Sequence, residues 1–239
     1  MMLPRAFFVS DLHLFARRSE APRYLQAIRQ RAAVAGTFVL GGDIFDFRWS
    51  TLATDHATVE AAVRWLEQLT RQCPECQFHY LLGNHDYHDP FMRRLAQLQS
   101  DVHNLAWHKF YLRLGDAVFL HGDVADRRMT TAQSLADDRA RWLYDAQRGP
   151  LHHRMYDLAV RAGLHRPLPY LVHPKRRVAK RILRYLEDIG QGPHSGARNI
   201  YFGHIHRRLS NYRYGGLSFH NGGAPIKGQR FHIVEALLS

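Results

Sequence analysis

Short apolar runs that stop at clusters of Asp, Asn and His set the rhythm of this chain. Phe7-Phe8-Val9-Ser10 runs into Asp11-Leu12-His13, and Phe38-Val39-Leu40 into Gly41-Gly42-Asp43-Ile44-Phe45-Asp46. The run from Phe78 to Leu82 meets Gly83-Asn84-His85-Asp86, Val118-Phe119-Leu120 meets His121-Gly122-Asp123, and Ile200-Tyr201-Phe202 meets Gly203-His204-Ile205-His206. A short apolar run bounded by turn residues reads as a buried strand, and open α/β sheets carry their sites on loops at the carboxyl ends of strands. Between these strands the period changes. A helix is predicted from near Ser19, with Pro22 in its first turn and Tyr24, Leu25, Ile28 and Ala32 on one face. A second is predicted over 56–71, where Val59, Ala62, Val63, Leu66 and Leu69 share a face, and a short third over 90–99, after Pro90. Residues 110–114 and 117–121 flank Gly115-Asp116, a hairpin signal. From Asn199 onward, strands at 199–203 and near 209–213, 217–220 and 230–235 alternate with Gly-rich turns. Strands alternating with helices, then an antiparallel tail, predict an α/β fold with a mixed sheet.

Residues 124–197 break that rhythm. They hold no strand pattern, only helical ones: Met129, Leu135, Trp142 and Leu143 in one, and Val178, Ile182, Tyr185 and Leu186 in another. The chain therefore divides into a core at 1–123, a helical insertion or cap at 124–197, and the rest of the core at 198–239. Charge sharpens the picture. The net charge is +12 and the pI about 10.1, which favours acidic partners such as nucleic acid, anionic lipid or phosphorylated small molecules. From Arg148 to Arg184 ten Lys or Arg residues face a single acid, Asp157, so the partner surface is expected there. The helix bearing Lys175, Arg176, Lys180 and Arg184 has two readings: core packing with a solvated basic face, or a cap whose amphipathic face meets membrane or an anionic lipid. The two are compatible.

The 46% hydrophobic and 23% charged composition is that of a globular protein, and no apolar run approaches the 18 or so residues of a membrane span. The amino-terminal run ending at Ser10 is too short for a signal-peptide core. A cytoplasmic protein is expected, in keeping with a single cysteine pair, Cys73 and Cys76, read here as an incidental loop pair rather than a zinc clip or redox dithiol. No helix-turn-helix, zinc-finger or RNA-binding signature is present.

Five strands that each end in Asp, Asn or His predict a dinuclear metal site. Two divalent ions about 3.5–4 Å apart can clamp the attacking and leaving oxygens of an in-line displacement at phosphorus. Mixed carboxylate, amide and imidazole donors without thiolate suit Mn²⁺, Fe²⁺ or Zn²⁺ rather than an all-oxygen Ca²⁺ cage, and Mn²⁺ is the expected metal.

Asp11-x-His13, Gly42-Asp43, Gly83-Asn84-His85-Asp86, His121-Gly122-Asp123 and Gly203-His204-x-His206 together resemble the signature of the calcineurin-like metallophosphoesterase superfamily. The resemblance implies a four-layer αββα sandwich with a helical insertion. It implies that Asp11, His13 and His206 hold one metal, that Asn84, His121 and His204 hold the other, and that Asp43 bridges them. It also implies that His85 faces the scissile phosphate and that Asp46 orients it, with Asp86 and Asp123 left to supporting roles. Asp46-Phe47-Arg48 departs from the Asp-Arg-Gly of protein serine/threonine phosphatases. Gly42-Asp43-Ile44-Phe45-Asp46-Phe47 with Trp49 is instead similar to the UDP-2,3-diacylglucosamine hydrolases, which cleave a nucleotide-sugar pyrophosphate in lipid A synthesis. That likeness implies a lipid-linked nucleotide substrate and work at the inner face of the membrane, and the basic charge makes Arg48, Lys175, Arg176 and Lys180 the expected substrate contacts. One branch of those enzymes has Arg where His85 stands, and Arg48 intrudes on their usual aromatic run. The alternative is a soluble phosphodiesterase or phosphatase acting on nucleotides or nucleic acid.

Overall fold

Two five-stranded sheets lie face to face in this computed structural model, which describes residues 5–161, 163 and 168–238. The first sheet contains β1 (Ala6–Val9), β2 (Thr37–Gly41), β3 (Gln77–Leu81), β4 (Leu105–His108) and β10 (Val234–Ala236), in the order β10-β1-β2-β3-β4. Strands β1 to β4 are parallel and β10 closes the edge antiparallel. The second contains β5 (Tyr111–Leu114), β6 (Ala117–Leu120), β7 (Asn199–Phe202), β8 (Leu209–Tyr214) and β9 (Leu217–Asn221), in the order β5-β6-β7-β9-β8. Its three central strands are parallel and its two edges antiparallel. The apolar runs are continuous rather than alternating because parallel strands are covered on both faces.

Within each run, period-two alternation sorts the side chains into layers. Ala6, Phe8, Val39 and Leu81 face the second sheet, where Leu112, Ala117, Phe119 and Tyr201 meet them. The Phe8 ring lies 5.9 Å from that of Phe119 and 6.1 Å from that of Tyr201. Phe7, Phe38 and Phe78 point the other way, into a core shared with α1 (Leu25–Ala32), α2 (Asp55–Gln72) and α3 (Asp89–Asp101). Thr54 caps α2 by accepting from Ala57 N at 3.0 Å, which satisfies one of the orphan donors of the first turn. The 124–197 segment contains α4 (Ala132–Ala140), α5 (Pro150–Arg161), α6 (Leu168–Val172) and α7 (Lys175–Asp188). Of these, α7 buries Val178, Ala179, Ile182, Tyr185 and Leu186 against Val118, Ile200 and Phe219 of the second sheet. It is the outer layer there, and the molecule is a four-layer αββα sandwich. The basic positions Lys175, Arg176 and Lys180 stay exposed, with Arg176 and Lys180 turned away from the sheet. Leu151, Met155 and Leu158 of α5 and Tyr170, Leu171 and Val172 of α6 are also exposed.

The pattern differs from the structure in three places. β4 was not predicted, because it is a four-residue edge strand in which only Leu105 is buried. The tail strand covers Val234–Ala236 rather than 230–235. The helix expected near Ser19 starts as a 3₁₀ turn at Ala21–Tyr24 and becomes α-helical at Leu25, since the Ser19 hydroxyl accepts from Ala21 N and donates to the Leu12 carbonyl. Cys73 and Cys76 are free, buried thiols, and burial pushes that of Cys76 up to about 12. The loop they flank is tied by the Asn104 amide, which donates to the carbonyls of Thr70, Cys73 and Cys76.

One buried ion pair locks α4 to the sheet. Arg139, with no exposure, donates to both Asp123 oxygens at 2.7 and 2.9 Å and to the Lys109 carbonyl at 2.8 Å. Burial disfavours the Asp123 carboxylate, but Arg139 overrides it and holds the pKa down at about 2. A depressed carboxylate stabilises the fold above its unfolded pKa and loses that contribution as pH falls through the folded value. Asp123→Asn should therefore destabilise the protein by about 3–5 kcal/mol, because Arg139 is left buried without its partner. Urea midpoints measured from pH 6 down to pH 2 should converge for variant and parent at the acid end; an unchanged midpoint at pH 6 would remove the pair from this role.

Candidate metal centre

Each of the five strands that lead into Asp, Asn or His ends within a residue of its expected end, and the five loops meet at one end of the two sheets. Asp11 and His13 follow β1, Asp43 and Asp46 follow β2, Asn84 and His85 follow β3, His121 follows β6, and His204 and His206 follow β7. Close approach of these loops needs missing side chains: a Cβ on Gly83 would collide with the Asp43 carboxylate and backbone, and one on Gly203 with Asp11 and Ser10. The chain turns sharply at the functional residues themselves. Asp11, His13, Asp43, His204 and His206 all sit at positive φ, between 46° and 66°, a costly conformation for side-chain-bearing residues that recurs at functional sites. Backbone bonds hold these turns, with Asp11 N donating to Gly42 O at 3.0 Å and His13 N to Asp43 O at 2.9 Å.

The donors fall into two adjoining groups. Asp11, His13 and His206 converge in the first, with the His13 and His206 Nε2 atoms 3.0 Å apart and His206 Nε2 3.6 Å from Asp11 Oδ1. Asp43, His121 and His204 converge in the second. Asn84 Oδ1 joins them, 3.1 Å from His121 Nε2 and 3.2 Å from His204 Nδ1. Asp43 Oδ2 lies 3.3 Å from His121 Nε2, and its other oxygen accepts from His85 N at 2.8 Å. Asp11, His13, Asp43 and His121 are essentially inaccessible to water.

Such a donor set fits a pair of divalent cations. Burial, with Arg18 behind it, lowers His13 to about 4, and burial with His13 nearby holds His206 well below its usual value, so both present neutral rings with free lone pairs. Two neutral imidazole nitrogens facing each other at 3.0 Å can share one proton or ligate one ion. The Nδ1–H of His121 donates to the Gly41 carbonyl at 3.2 Å, which turns Nε2 toward Asn84 and Asp43. Burial opposes a charge on Asp43, but His121, His85 and His13 around it hold its carboxylate well below the usual range. Burial opposes protonation of His121 as well, yet Asp43 above all, then Asp123 and Asp11, raise it to about 10.

His85 stands beside both groups. Its Nδ1 is 3.0 Å from Asp46 Oδ1, its ring centroid is 5.0 Å from that of His13, and the Trp142 ring is 5.2 Å away. Burial disfavours its charged form, but Asp46 and Asp43 outweigh burial and its pKa is raised. Asp46 is itself fixed by Arg18 at 3.0 Å and Trp49 N at 3.0 Å. Asp86 has a supporting role: it accepts from Tyr80 Oη at 2.6 Å, Ile44 N at 3.1 Å and Gly83 N, tying the β2 and β3 loops together.

The remaining expected positions are dispersed. Arg48 pairs with Asp145 at 3.1 Å and lies over the Trp142 ring at 4.9 Å, one ring removed from His85. Lys175 lines a cavity that reaches His206, whereas Arg176 and Lys180 point to solvent. Their neighbours Arg177 and Arg181 instead line a cavity of about 510 Å³ with Asp126, His173, His204 and His206. Sequence reasoning passed over Asp126 and Arg18. Asp126 Oδ1 sits 2.9 Å from His204 Nε2, which turns His204 Nδ1 toward Asn84. Its place three residues after His121-Gly122-Asp123 was a usable signal; Arg18 carried none, being one of two arginines in a polar turn.

Asp126→Asn should leave the fold intact and lower divalent-metal content at the Asn84/His121/His204 group about 10–100-fold in affinity, read by metal titration. Unchanged affinity would reduce Asp126 to surface structure. A divalent ion must displace the His121 proton, so loading should release protons and weaken as pH falls. Calorimetric heats of Mn²⁺ loading should accordingly differ between phosphate and Tris; equal heats would contradict this.

A family model described as calcineurin-like phosphoesterase matches residues 4–208. A search of curated proteins returns no match. Among solved structures, one crystal structure aligns over 100% of both chains at 12% identity with a TM-score of 0.51. Another, a dimetal phosphatase from Danio rerio, is 13% identical, covers 94% of this chain and 89% of its own, and has a TM-score of 0.41.

Proposed function

We propose that this chain, which belongs to the calcineurin-like phosphoesterase family, hydrolyses the pyrophosphate of a nucleotide-linked glycolipid, with UDP-2,3-diacylglucosamine as the leading substrate. The coarser activity is that of a metal-dependent phosphoesterase. The observation that carries the reading is the juxtaposition of two largely buried Asp/His donor groups with a further imidazole, His85, backed by its own carboxylate.

Asp11, His13 and His206 would hold one divalent ion, Asn84, His121 and His204 the second, and Asp43 both. When bound, two such ions would supply Lewis acidity toward the phosphoryl oxygens, with Mn²⁺ the expected metal and Fe²⁺ or Zn²⁺ the alternatives. His85 holds its Nδ1 proton against Asp46 and offers Nε2 to the substrate. Asp46 and Asp43 favour its charged form against the cost of burial, so it stabilises the anionic phosphoryl group and gives a proton to the leaving phosphate oxygen as a water oxygen bonds to phosphorus and the bridging P–O bond breaks. Asp46 keeps the ring turned and Trp142 covers it from water.

Exposed apolar side chains support a lipid-bearing substrate. Tyr170, Leu171 and Val172 of α6 and Leu151, Met155 and Leu158 of α5 lie outside the core, next to a strongly basic stretch. Val172 lines a cavity with His204 and His206, so an apolar group bound there would adjoin the hydrolytic groups. Basic residues around apolar ones suit an anionic membrane surface. No helix among the described residues is long and apolar enough to cross a membrane, so contact of this kind would be peripheral.

The test is ³¹P NMR of products from Mn²⁺-loaded protein and UDP-2,3-diacylglucosamine, with UMP and a lipid sugar 1-phosphate expected. Turnover of bis(p-nitrophenyl) phosphate but not of the glycolipid would replace the substrate with a soluble nucleotide or nucleic-acid ester. His85→Ala should keep its metal and lose about 10²–10⁴-fold in kcat. Asp43→Ala should lose both ions, and full metal stoichiometry in that variant would end the bridging assignment.

A further inference from the structure

A second cavity, of about 500 Å³, opens against His206 on residues that the hydrolytic chemistry does not use. Lys175, Arg207, Arg208 and Arg230 line it together with Tyr170 and Gln229, and no carboxylate among the described residues does. These cations come from three separate parts of the fold: the first residue of α7, the loop after β7, and the turn before the last strand. Several supports are built in. The Arg207 guanidinium lies 4.5 Å over the Tyr170 ring and donates to the His173 carbonyl at 3.4 Å, and the Lys175 ammonium is 5.9 Å from the Tyr212 ring. The turn bearing Arg230 is pinned by bridges of Gly223 with Phe231 and of Ser19 with Ile226, and a Cβ on Gly223 would strike the Arg230 carbonyl.

Four like charges around one acid-free hollow repel one another, so the arrangement favours an anion. Arginine-rich linings match phosphate oxygens in particular, through charge-assisted and bidentate hydrogen bonds. The cavity shares His206 with the first donor group, so an anion held there is next to the phosphorus under attack. The other cavity at His206 has a different character, with Asp126, Val172 and Ile205 among its walls.

We propose that the Lys175/Arg207/Arg208/Arg230 cavity is a subsite for the second, unattacked phosphate of a phosphoanhydride, and that it makes the protein prefer substrates with two linked phosphates over those with one. The proposal rests on the phosphoesterase reading for which phosphate is attacked, but not for the binding itself. Isothermal calorimetry on Mn²⁺-loaded protein can compare α,β-methylene-ADP, which carries two phosphates that hydrolysis cannot separate, with AMP. The methylene analogue should bind at least about tenfold more tightly. The Arg208→Gln/Arg230→Gln double variant should reduce that preference to about threefold or less, with its circular dichroism unchanged. Absence of the preference in the parent, or its survival in the double variant, would overturn the subsite. Parent turnover of bis(p-nitrophenyl) phosphate separates the two ideas. Preference without turnover removes hydrolysis and keeps the subsite, and turnover without preference does the reverse.

Discussion

Buried negative charge is the constraint around which this protein is arranged. Asp43 lies at the meeting of the two sheets with about 1% of its surface exposed, where an isolated carboxylate would be prohibitively costly. It is tolerated because His121 stands at 3.3 Å, the His85 amide donates to it, and His13 contributes from the other side. Asp11 shows the same cost less fully offset: burial raises its pKa to about 6 although His204 N donates to both of its oxygens. A cluster that concentrates carboxylates and lone pairs away from water is poorly suited to stabilising a fold by itself and well suited to holding cations.

Placing those groups together accounts for much of the local backbone. Positive φ at Asp11, His13, Asp43, His204 and His206 turns each chain back over its own strand end, and Gly83 and Gly203 let neighbouring loops approach within the space of a missing Cβ. Strain of this kind persists only where the surroundings are rigid. Here the surroundings are two mixed sheets with parallel centres and aromatic cores, pinned at the rim by the Asp86 and Asp123–Arg139 contacts.

Around this rigid centre the surface is divided by chemistry. His85, Asp46 and Trp142 form one flank, suited to proton transfer beside a phosphoryl group. The α6–α7 flank brings apolar and cationic side chains to the same rim, with His173, Arg177 and Arg181 near His204 and Lys175 with Arg207 near His206. A substrate joining an apolar body to linked phosphates would meet both kinds of surface at once, so the proposed glycolipid pyrophosphate and the proposed second-phosphate subsite belong to one reading.

Strand ends were legible in the chain because parallel strands need unbroken apolar runs, and polar residues with ligating atoms can follow such a run only where it leaves the core. That local rule located Asp11, His13, Asp43, Asn84, His85, His121, His204 and His206 without any knowledge of contacts. It missed β4, whose side chains are half-buried at a sheet edge and so carry little pattern. It also could not choose among basic residues: Lys175, Arg176, Lys180 and Arg181 look alike in composition, and only the docking of Val178, Ile182 and Tyr185 onto the second sheet sets which of their side chains turn toward His204 and His206 and which toward water. Asp126, Arg18 and Arg230 acquire meaning in the same way, through neighbours distant in sequence. The chain by itself determined which groups leave the core and at which strand ends; tertiary packing decided which of them face one another, because facing distances depend on how two sheets and a helix pack, and no local period records that.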